Sequence, residues 1–382
     1  MSLPPQTILV LGGGVGGVST AVLLRERLGA KHRVILVERE AAHVFAPSLL
    51  WMLVGERAPE TIARPMTGVA TRGVELIRGE VEAVDAEARV VTVDGQRIAA
   101  DWLVVALGAE LAPELVPGLA LSGHNIYTVE GAIEFASALQ AVPAARVALL
   151  TAAPGYKCPA APYEAAMLVQ SELRKRTVEP RVDLYTAEPG PMGVAGPEVS
   201  AAVRQMVEEK GIGYHPEHVV TGVSAGRLEF ANGASASFDL LGFVPPHRPP
   251  SVVRESSLAG PGGWIEVDRG SLATRFPGVY AIGDNTQIPL TMGRPLPRAG
   301  VFAHGQAEAV AKTIARSITG RGKAGVFEGH GECFIETGEG KAGFGRGNFY
   351  AEPRPQVAMH APAWHWHAAK VAFEKYWLRR WF

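Results

Sequence analysis

The chain has 382 residues, 47% of them hydrophobic, and a formal net charge of −1. This length predicts two or three domains with sizeable cores, and the charge gives no reason to expect nucleic acid as a partner. The two cysteines, Cys158 and Cys333, exclude a disulfide scaffold and a four-cysteine metal or iron–sulfur site. The N-terminal stretch lacks the pattern of a signal peptide, and no apolar run reaches ~18 residues. We therefore expect a cytoplasmic protein without a membrane-spanning helix.

The order of apolar and helical patterns predicts an α/β fold with two Rossmann-like dinucleotide-binding units. In chain order the predicted elements are a strand at Thr7–Leu11, a helix at Gly16–Leu28, a strand at Arg33–Glu38, a hairpin turn at Asp94-Gly95, a strand starting at Arg146, a helix at Tyr163–Arg176, a helix at Glu198–Lys210, a strand at Gly278–Asp284 and a helix at Arg298–Ser317. Residues 1–110 and 248–322 form a predicted FAD-binding domain. Residues 111–247 form the second Rossmann-like domain, and residues 323–382 a C-terminal α/β segment with an amphipathic helix.

A glycine-rich turn follows the first strand. Gly12, Gly14 and Gly17 have the spacing G-x-G-x-x-G between a strand and a helix, and Glu38 ends the next strand. Gly12 suits the tight turn, Gly14 lets a pyrophosphate approach the backbone, and Gly17 lets helix and strand pack closely. The helix N-terminus would stabilise the phosphates, and Glu38 would accept a hydrogen bond from a ribose hydroxyl, so the pattern predicts a bound dinucleotide.

Two later segments of the sequence favour FAD over NAD as the bound dinucleotide. One segment is the strand before Gly108, and the other is the late strand that ends at Gly283 and Asp284. The late strand would place the Asp284 carboxylate at the ribitol of a long ligand. Together with the glycine-rich turn, these segments resemble the two-dinucleotide-domain flavoproteins. A helix starting near Arg298 and Ala299 can stabilise the reduced flavin ring. The candidate cofactor-binding residues are Gly12, Gly14, Gly17, Glu38, Arg39, Val81, Gly108, Gly283, Asp284, Arg298 and Ala299.

The second unit lacks a glycine fingerprint. Its loop, TAAPGYKCPAAPYE, has one glycine and three prolines that remove amide donors, which argues against a nicotinamide cofactor. It carries Cys158 instead. Lys157 and the following helix N-terminus are expected to lower the pKa of this thiol, and Glu164 is placed to move protons. Cys333, in a stretch that is expected to be a polar Gly-rich loop, is its candidate redox partner; two unrelated core cysteines are the alternative.

The motifs GGGVGG, HVFAPS, YKCPAAPYE, GVYAIGD, LPRAGVFAHGQA, GECFIETG and KVAFEKYWLRRWF together resemble the sulfide:quinone oxidoreductase and flavocytochrome c sulfide dehydrogenase family. The resemblance implies that Cys158 and Cys333 take up sulfide sulfur and that electrons leave through FAD to a quinone or a cytochrome. The chain departs from the family in two places. Tyr127 lies where many quinone-reducing members have a third cysteine, and HVFAPS has no nearby cysteine, so we expect noncovalent FAD.

The C-terminal tail is rich in aromatic and basic residues. Trp366, Phe373, Trp377 and Trp381 recur at three- to four-residue steps or their multiples among lysines and arginines, which predicts an amphipathic helix lying on an anionic membrane surface. A helix docked on the protein is the alternative. The resemblance implies that Phe334 contacts the quinone, with Phe373 and Tyr376 as weaker candidates. We expect a peripheral, monotopic protein on the cytoplasmic side of the cell membrane.

The leading prediction is an FAD-dependent sulfide:quinone oxidoreductase. Three alternatives stay open: a flavocytochrome-type sulfide dehydrogenase, a type II NADH:quinone oxidoreductase, and a flavin-binding scaffold or sensor without turnover. The sulfur donor is sulfide or a related sulfur species, and a homo-oligomer is compatible with the sequence.

Overall fold

Two parallel β-sheets form the centres of two α/β units. The computed structural model describes residues 4–141, 146–176 and 179–382. The strands of the first sheet are, in spatial order, Val279–Ala281, Trp102–Val105, Thr7–Leu11, Arg33–Glu38 and Glu75–Arg78. The helices Val15–Leu28 and Gly300–Thr319 pack together on one face of this sheet. The late strand and helix therefore complete a unit that begins at the N-terminus.

The second sheet has the same architecture. Its parallel strands are, in spatial order, His124–Asn125, Leu240–Val244, Arg146–Thr151, Arg181–Thr186 and Gly213–His215. Its long helices are Val129–Ala141, Ala161–Arg174 and Pro197–Glu209. The two crossings between the units, Glu110–Leu111 and His247–Arg248, pair with each other as antiparallel strands. The predicted domain boundaries fall at this two-stranded ribbon.

Short strands and helical turns connect the longer elements of the two units. The remaining strands are Ala42–Val44, Ala63–Pro65, Val81–Asp85, Val90–Val93, Gln96–Ala99, Val220–Ser224, Arg227–Phe230, Ser235–Ser237, Ile265–Glu266 and Thr286–Gln287. One-turn α-helices span Leu49–Met52, Pro59–Ile62, Leu119–Ser122 and Ser251–Arg254, and 3₁₀ turns span Ala46–Ser48, Met66–Arg72, Pro113–Leu115, Gly193–Ala195 and Gly283–Asn285.

The C-terminal region is an antiparallel sheet followed by one helix. The strands His330–Gly338, Lys341–Asn348 and Gln356–Ala363 precede the C-terminal helix, Trp364–Arg380. The first of these strands packs so closely on the helix Ala161–Arg174 that a Cβ at Gly338 would lie 2.1 Å from Ser171 Oγ. This contact joins the C-terminal region to the second unit.

The C-terminal helix also reaches the first unit. Trp377 and Trp381 are buried in the apolar core around the helices Val15–Leu28 and Gly300–Thr319. The prediction that these two tryptophans anchor the helix in a membrane is therefore wrong, because their rings are covered by the protein itself. Among the described residues, every helix is too short or too polar to cross a bilayer.

The predicted fold class, with two Rossmann-like units and a C-terminal helix, is confirmed. Asp94 and Gly95 both have positive φ angles, 44° and 75°, as a two-residue hairpin turn requires. Two helix starts differ from prediction because proline suits the first helical turn, so these helices begin at Ala161 and Pro197. The helix predicted from Arg298 begins at Gly300, since Ala299 has extended backbone angles.

Candidate flavin and thiol site

The glycine-rich turn has the shape of a phosphate cradle. Gly12 has a φ of 96°, and a Cβ there would lie 2.4 Å from the carbonyl oxygen of Ala106. A Cβ at Gly17 would lie 1.7 Å from the carbonyl oxygen of Gly12, so these two glycines are required by packing. At Gly14, by contrast, a Cβ would meet nothing within 4 Å, and this residue caps a helix whose first amides have no side-chain cap. The turn therefore fits a dinucleotide pyrophosphate.

The residues predicted to bind the ribose and adenine of FAD lie near the end of the strand Arg33–Glu38. Glu38 accepts hydrogen bonds from the backbone amides of Gly13 and Glu40, so its carboxylate adjoins the glycine-rich turn. Arg39 is exposed, and its guanidinium lies 3.2 Å from Glu80. Val81 is half-buried at the start of its own strand. These residues border the position expected for the adenosine half of FAD.

The ends of two further strands meet at the same edge of the first sheet. Gly108 and Gly283 have φ angles of 71° and 74°, which permit the chain to turn sharply there. The buried side-chain oxygen of Asn285 accepts a 2.6 Å hydrogen bond from the amide of Leu107 and joins the two ends. Burial raises the pKa of Asp284, while the positive charges of Lys157 and Arg298 oppose this increase.

Arg298 connects the two units. Its Nε donates to the carbonyl oxygen of Asp284 and its terminal nitrogen donates to that of Gly155, both at 2.9 Å. The guanidinium carbon lies 3.6 Å from the centre of the Trp264 ring. The carbonyl oxygen of Arg298 accepts a 2.7 Å hydrogen bond from the amide of Cys158. These contacts hold the N-terminus of the helix Gly300–Thr319 against residues 152–160, the loop that carries Cys158 and is called the thiol loop below.

The backbone at Cys158 is strained and closely held. Its φ is 52°, a left-handed conformation that costs a non-glycine residue about 1–3 kcal/mol and persists only where the surroundings enforce it. The carbonyl oxygen of Cys158 accepts hydrogen bonds from the amide of Ala161 at 3.0 Å and from the hydroxyl of Tyr127 at 3.2 Å. Tyr127 also donates to the carbonyl oxygen of Lys157 at 2.9 Å. The residue in place of a third cysteine therefore fixes the thiol loop.

The structure brings the two thiols together. Both are free and half-buried, and both pack against the apolar cluster around the helix Ala161–Arg174. Cys333 lies in a strand, opposite Gly345, rather than in the loop expected from the sequence. Ionisation of Cys158 raises the pKa of Cys333, so the thiols are within range of each other's charge.

The expected depression of the Cys158 pKa is wrong. Burial, followed by the charge of Glu164, raises the pKa of Cys158 to about 12, and burial raises the pKa of Cys333 well above its ordinary value. The first amide of the following helix binds the carbonyl oxygen of Cys158 instead of its sulfur. The ammonium of Lys157 lies 5.9 Å from the centre of the Tyr127 ring. Both thiols are therefore protonated at neutral pH, and their chemistry requires a base.

A buried ion pair lies beside the thiols. Glu164 Oε2 and Lys370 Nζ are 2.8 Å apart, and both side chains are almost completely buried. Glu164 also accepts a 2.9 Å hydrogen bond from the amide of Glu336, whose own carboxylate lies 3.0 Å from His367 Nδ1. The sequence analysis singled out only Glu164. The spacing of His367 and Lys370, three residues apart and hence on one helix face, could have indicated these two residues, whereas Glu336 lies on a separate strand.

The three quinone candidates lie in different surroundings. Phe334 is half-buried next to Cys333, and its ring centre is 5.1 Å from that of Phe344. Phe373 is 41% exposed and contacts Phe45 edge-on, whereas Tyr376 is 57% exposed beside a shallow basic cleft. Among the three, Phe334 is the one adjacent in sequence to a thiol.

A family model described as "Pyridine nucleotide-disulphide oxidoreductase" matches residues 6–307. The chain belongs to this family. Within it, the chain is 29% identical to the sulfide-quinone reductase of Aquifex aeolicus, over 97% of this chain and 90% of that protein. It is 25% identical to the mitochondrial sulfide:quinone oxidoreductase of Mus musculus, over 91% of this chain and 79% of that protein.

A solved structure agrees with these sequence matches. The crystal structure of the Aquifex aeolicus sulfide:quinone oxidoreductase superposes with a TM-score of 0.87 at 27% identity, covering 98% of this chain and 91% of that chain. The resemblance to sulfide:quinone oxidoreductases, the oxidoreductase class and the FAD cofactor predicted from the sequence are confirmed by these similarities.

Proposed function

We propose that this pyridine nucleotide-disulphide oxidoreductase family member oxidises sulfide, or a related sulfur species, at Cys158 and Cys333 and passes the electrons through FAD to a quinone. The observation that carries the proposal is the shared site of two free thiols and a buried ion pair, which includes the loop of the second unit that lacks a glycine fingerprint. Similarity over nearly the whole chain to proteins named sulfide:quinone oxidoreductases supports the same activity.

The residues of the site have distinct roles in this proposal. FAD, when bound, supplies a two-electron acceptor. Cys158 and Cys333 hold the sulfur that sulfide contributes, and Glu164, whose charge raises the pKa of both thiols, accepts a proton from the sulfur species. Arg298 fixes the thiol loop against the flavin-binding unit through its bonds to Asp284 and Gly155. Sulfide loses two electrons and its protons, and the quinone takes up two electrons and two protons to become quinol.

Membrane attachment is the second part of the proposal. In the C-terminal helix Trp364, Phe373 and Tyr376 are 71%, 41% and 57% exposed, and Tyr376 lines a cleft with the basic residues Lys375 and Arg379. An apolar and basic surface of this kind suits the headgroup region of an anionic bilayer, where quinone dissolves. We propose peripheral attachment on the cytoplasmic side of the cell membrane, with Phe334, Phe373 and Tyr376 near the quinone. Co-sedimentation with anionic vesicles tests this: binding that survives in the double variant Lys375→Glu, Arg379→Glu would contradict it.

We propose that FAD is bound noncovalently, because the segment around Phe45 contains no cysteine. Acid precipitation should release all the flavin into the supernatant, and flavin retained on the precipitated chain would contradict this part of the proposal.

The activity itself is tested by anaerobic mixing. The flavoprotein is mixed with sulfide and, in a separate experiment, with NADH, while the flavin absorbance is followed. We expect bleaching by sulfide but not by NADH, and recovery of the absorbance when a short-chain quinone is added. Bleaching by NADH alone would instead support a type II NADH:quinone oxidoreductase.

A further inference from the structure

A basic cleft lies at the C-terminal ends of the two long helices of the first unit. Its lining comes from the last turns of Val15–Leu28 and Gly300–Thr319 and from the residues that follow each helix. The cleft has a volume of about 920 Å³. Among the described residues one carboxylate lines it, that of Glu328, together with the side chains of six cations: Arg27, Lys31, Lys312, Arg316, Arg321 and Lys323. Because the whole chain has a net charge of −1, positive charge is concentrated here.

The cleft is separate from the flavin and thiol site. The helix Val15–Leu28 has 14 residues, with the glycine-rich turn at its N-terminus and the cleft at its C-terminus. At about 1.5 Å per residue, the two ends of this helix are about 20 Å apart. A ligand in the cleft would therefore leave the cofactor site free.

The protein neutralises only part of the charge in the cleft. In the part of the chain that the structure describes, Arg316, Arg321 and Lys323 make no ion pair. Lys312 Nζ lies 3.7 Å from a carboxylate oxygen of Glu308, close to the limit for an ion pair. The cleft therefore keeps a positive potential that attracts anions.

Helix dipoles account for some of these cations but not for all of them. Arg27 and Arg316 lie in the last turns of their helices, where positive charge stabilises the helix C-terminus. This effect falls off beyond the last turn, so it does not account for Lys323, which lies four residues past the helix end at Thr319.

The loop at residues 320–325 is fixed on the second helix. The hydroxyl of Thr313 accepts a 3.0 Å hydrogen bond from the amide of Gly325 and donates one of 3.2 Å to the carbonyl oxygen of the same residue. A Cβ at Gly325 would lie 2.1 Å from the carbonyl oxygen of Ala309, so loop and helix are in direct backbone contact. A loop that is already held in place loses less conformational entropy when it binds a ligand.

The same loop leaves backbone donors open. Gly320 and Gly322 have φ angles of 70° and 79°, and a Cβ at either residue would meet nothing within 4 Å. Within residues 4–141, 146–176 and 179–382, the amides of Gly322, Lys323 and Ala324 make no hydrogen bond. Successive amides beside left-handed residues form a concave site for an anion.

We propose that this cleft binds a soluble anion with several phosphate groups, such as the triphosphate of a nucleotide. Phosphate oxygens accept charge-assisted hydrogen bonds from arginine and lysine, and the open amides of the loop add neutral donors. The volume of the cleft falls in the range of about 300–1,000 Å³ that is typical of sites for small molecules, which favours a discrete ligand over a flat membrane surface. Binding in the cleft is independent of the proposed sulfide oxidation.

The test is isothermal titration calorimetry of the FAD-loaded protein with tripolyphosphate. We expect saturable binding at about 50 mM salt that weakens at about 200 mM salt, because salt screens exposed charges. The double variant Arg321→Glu, Lys323→Glu changes two exposed residues and should bind at least about tenfold more weakly. Arg97→Glu, Lys341→Glu makes the same change of charge at exposed positions outside the cleft and should bind as wild type does.

Two results would refute the site: no saturable binding of tripolyphosphate by wild type, or equal affinity in the two double variants. FAD content and thermal unfolding show whether each variant is folded. If the variant Arg321→Glu, Lys323→Glu loses FAD or unfolds, the milder Lys323→Gln takes its place, and it should still bind more weakly than wild type.

Vesicles of phosphatidylglycerol distinguish lipid phosphates from soluble ones. Co-sedimentation is measured in the Lys375→Glu, Arg379→Glu background, which removes basic residues of the C-terminal helix. We expect the additional changes Arg321→Glu and Lys323→Glu to leave vesicle binding unaltered. Vesicle binding that is lost with these two changes, in a protein that does not bind tripolyphosphate, would contradict the choice of a soluble ligand.

Discussion

Trp377 donates a hydrogen bond of 3.1 Å from its indole Nε1 to Nε2 of His43, although the two residues lie 334 positions apart. Nδ1 of His43 lies 2.9 Å from the carbonyl oxygen of Gly13. Because Nε2 accepts, Nδ1 carries the proton and donates to Gly13. Burial lowers the pKa of His43, which agrees with a neutral ring. The C-terminal helix thereby supports the glycine-rich turn at the other end of the chain.

Trp377→Phe should weaken this support. The substitution keeps an aromatic ring but leaves the buried Nε2 of His43 without its donor, at an expected cost of about 1–3 kcal/mol in unfolding free energy. We also expect faster FAD dissociation. Urea unfolding and the rate of flavin release measure the two effects, with Trp364→Phe on the exposed part of the helix as the control. Equal flavin release in the two variants would argue against the role of His43.

Alanine substitutions in the glycine-rich turn should separate cofactor binding from folding. Gly14→Ala places a methyl group in open space, so the apoprotein should keep its stability while FAD content falls, because the methyl group occupies the phosphate cradle. Gly17→Ala forces a Cβ against the carbonyl oxygen of Gly12 and should destabilise the chain itself. Thermal unfolding of the apoproteins and flavin stoichiometry distinguish these effects. Full FAD occupancy in Gly14→Ala would show that the pyrophosphate lies elsewhere.

Glu164→Gln should make Cys158 more reactive. The charge of Glu164 raises the pKa of this thiol and that of Lys370 lowers it, so removal of the carboxylate lowers the pKa from its value of about 12. The thiolate fraction at pH 8 then increases, about tenfold for each unit of pKa. In a Cys333→Ser background, alkylation by iodoacetamide at pH 8 measures this directly, with Glu172→Gln on the same helix as the control.

Sulfide oxidation by Glu164→Gln should change in the opposite direction. With Cys333 restored, the rate of flavin bleaching by sulfide should fall, because the proton acceptor is lost. Slower alkylation, or bleaching at the wild-type rate, would contradict the assignment of Glu164.

Local sequence patterns predicted the two Rossmann-like units and the glycine-rich turn. Gly12, Gly14 and Gly17 lie within six residues, and their requirements follow from one turn and one helix start. The helix starts at Ala161 and Gly300 each lie two residues from the predicted position, because proline suits the first turn of the first helix and Ala299 has extended backbone angles before the second.

The environment of the thiols could not be predicted from sequence patterns. Burial and Glu164 raise the pKa of Cys158, and this increase is opposed by Lys370, which lies 206 positions from Glu164 in sequence but contacts it in space. Trp377 and Trp381 illustrate the same limit. Their helical spacing is compatible with a membrane surface and with a docked helix, and only the packing against the first unit decides between the two.

The most direct test of the central claim is flavin bleaching by sulfide in Cys158→Ser and Cys333→Ser. Under anaerobic conditions wild type should bleach, whereas both serine variants should retain bound FAD, remain oxidised in sulfide and bleach with dithionite. Full bleaching by sulfide in either serine variant would remove that thiol from the path of the electrons and contradict the account.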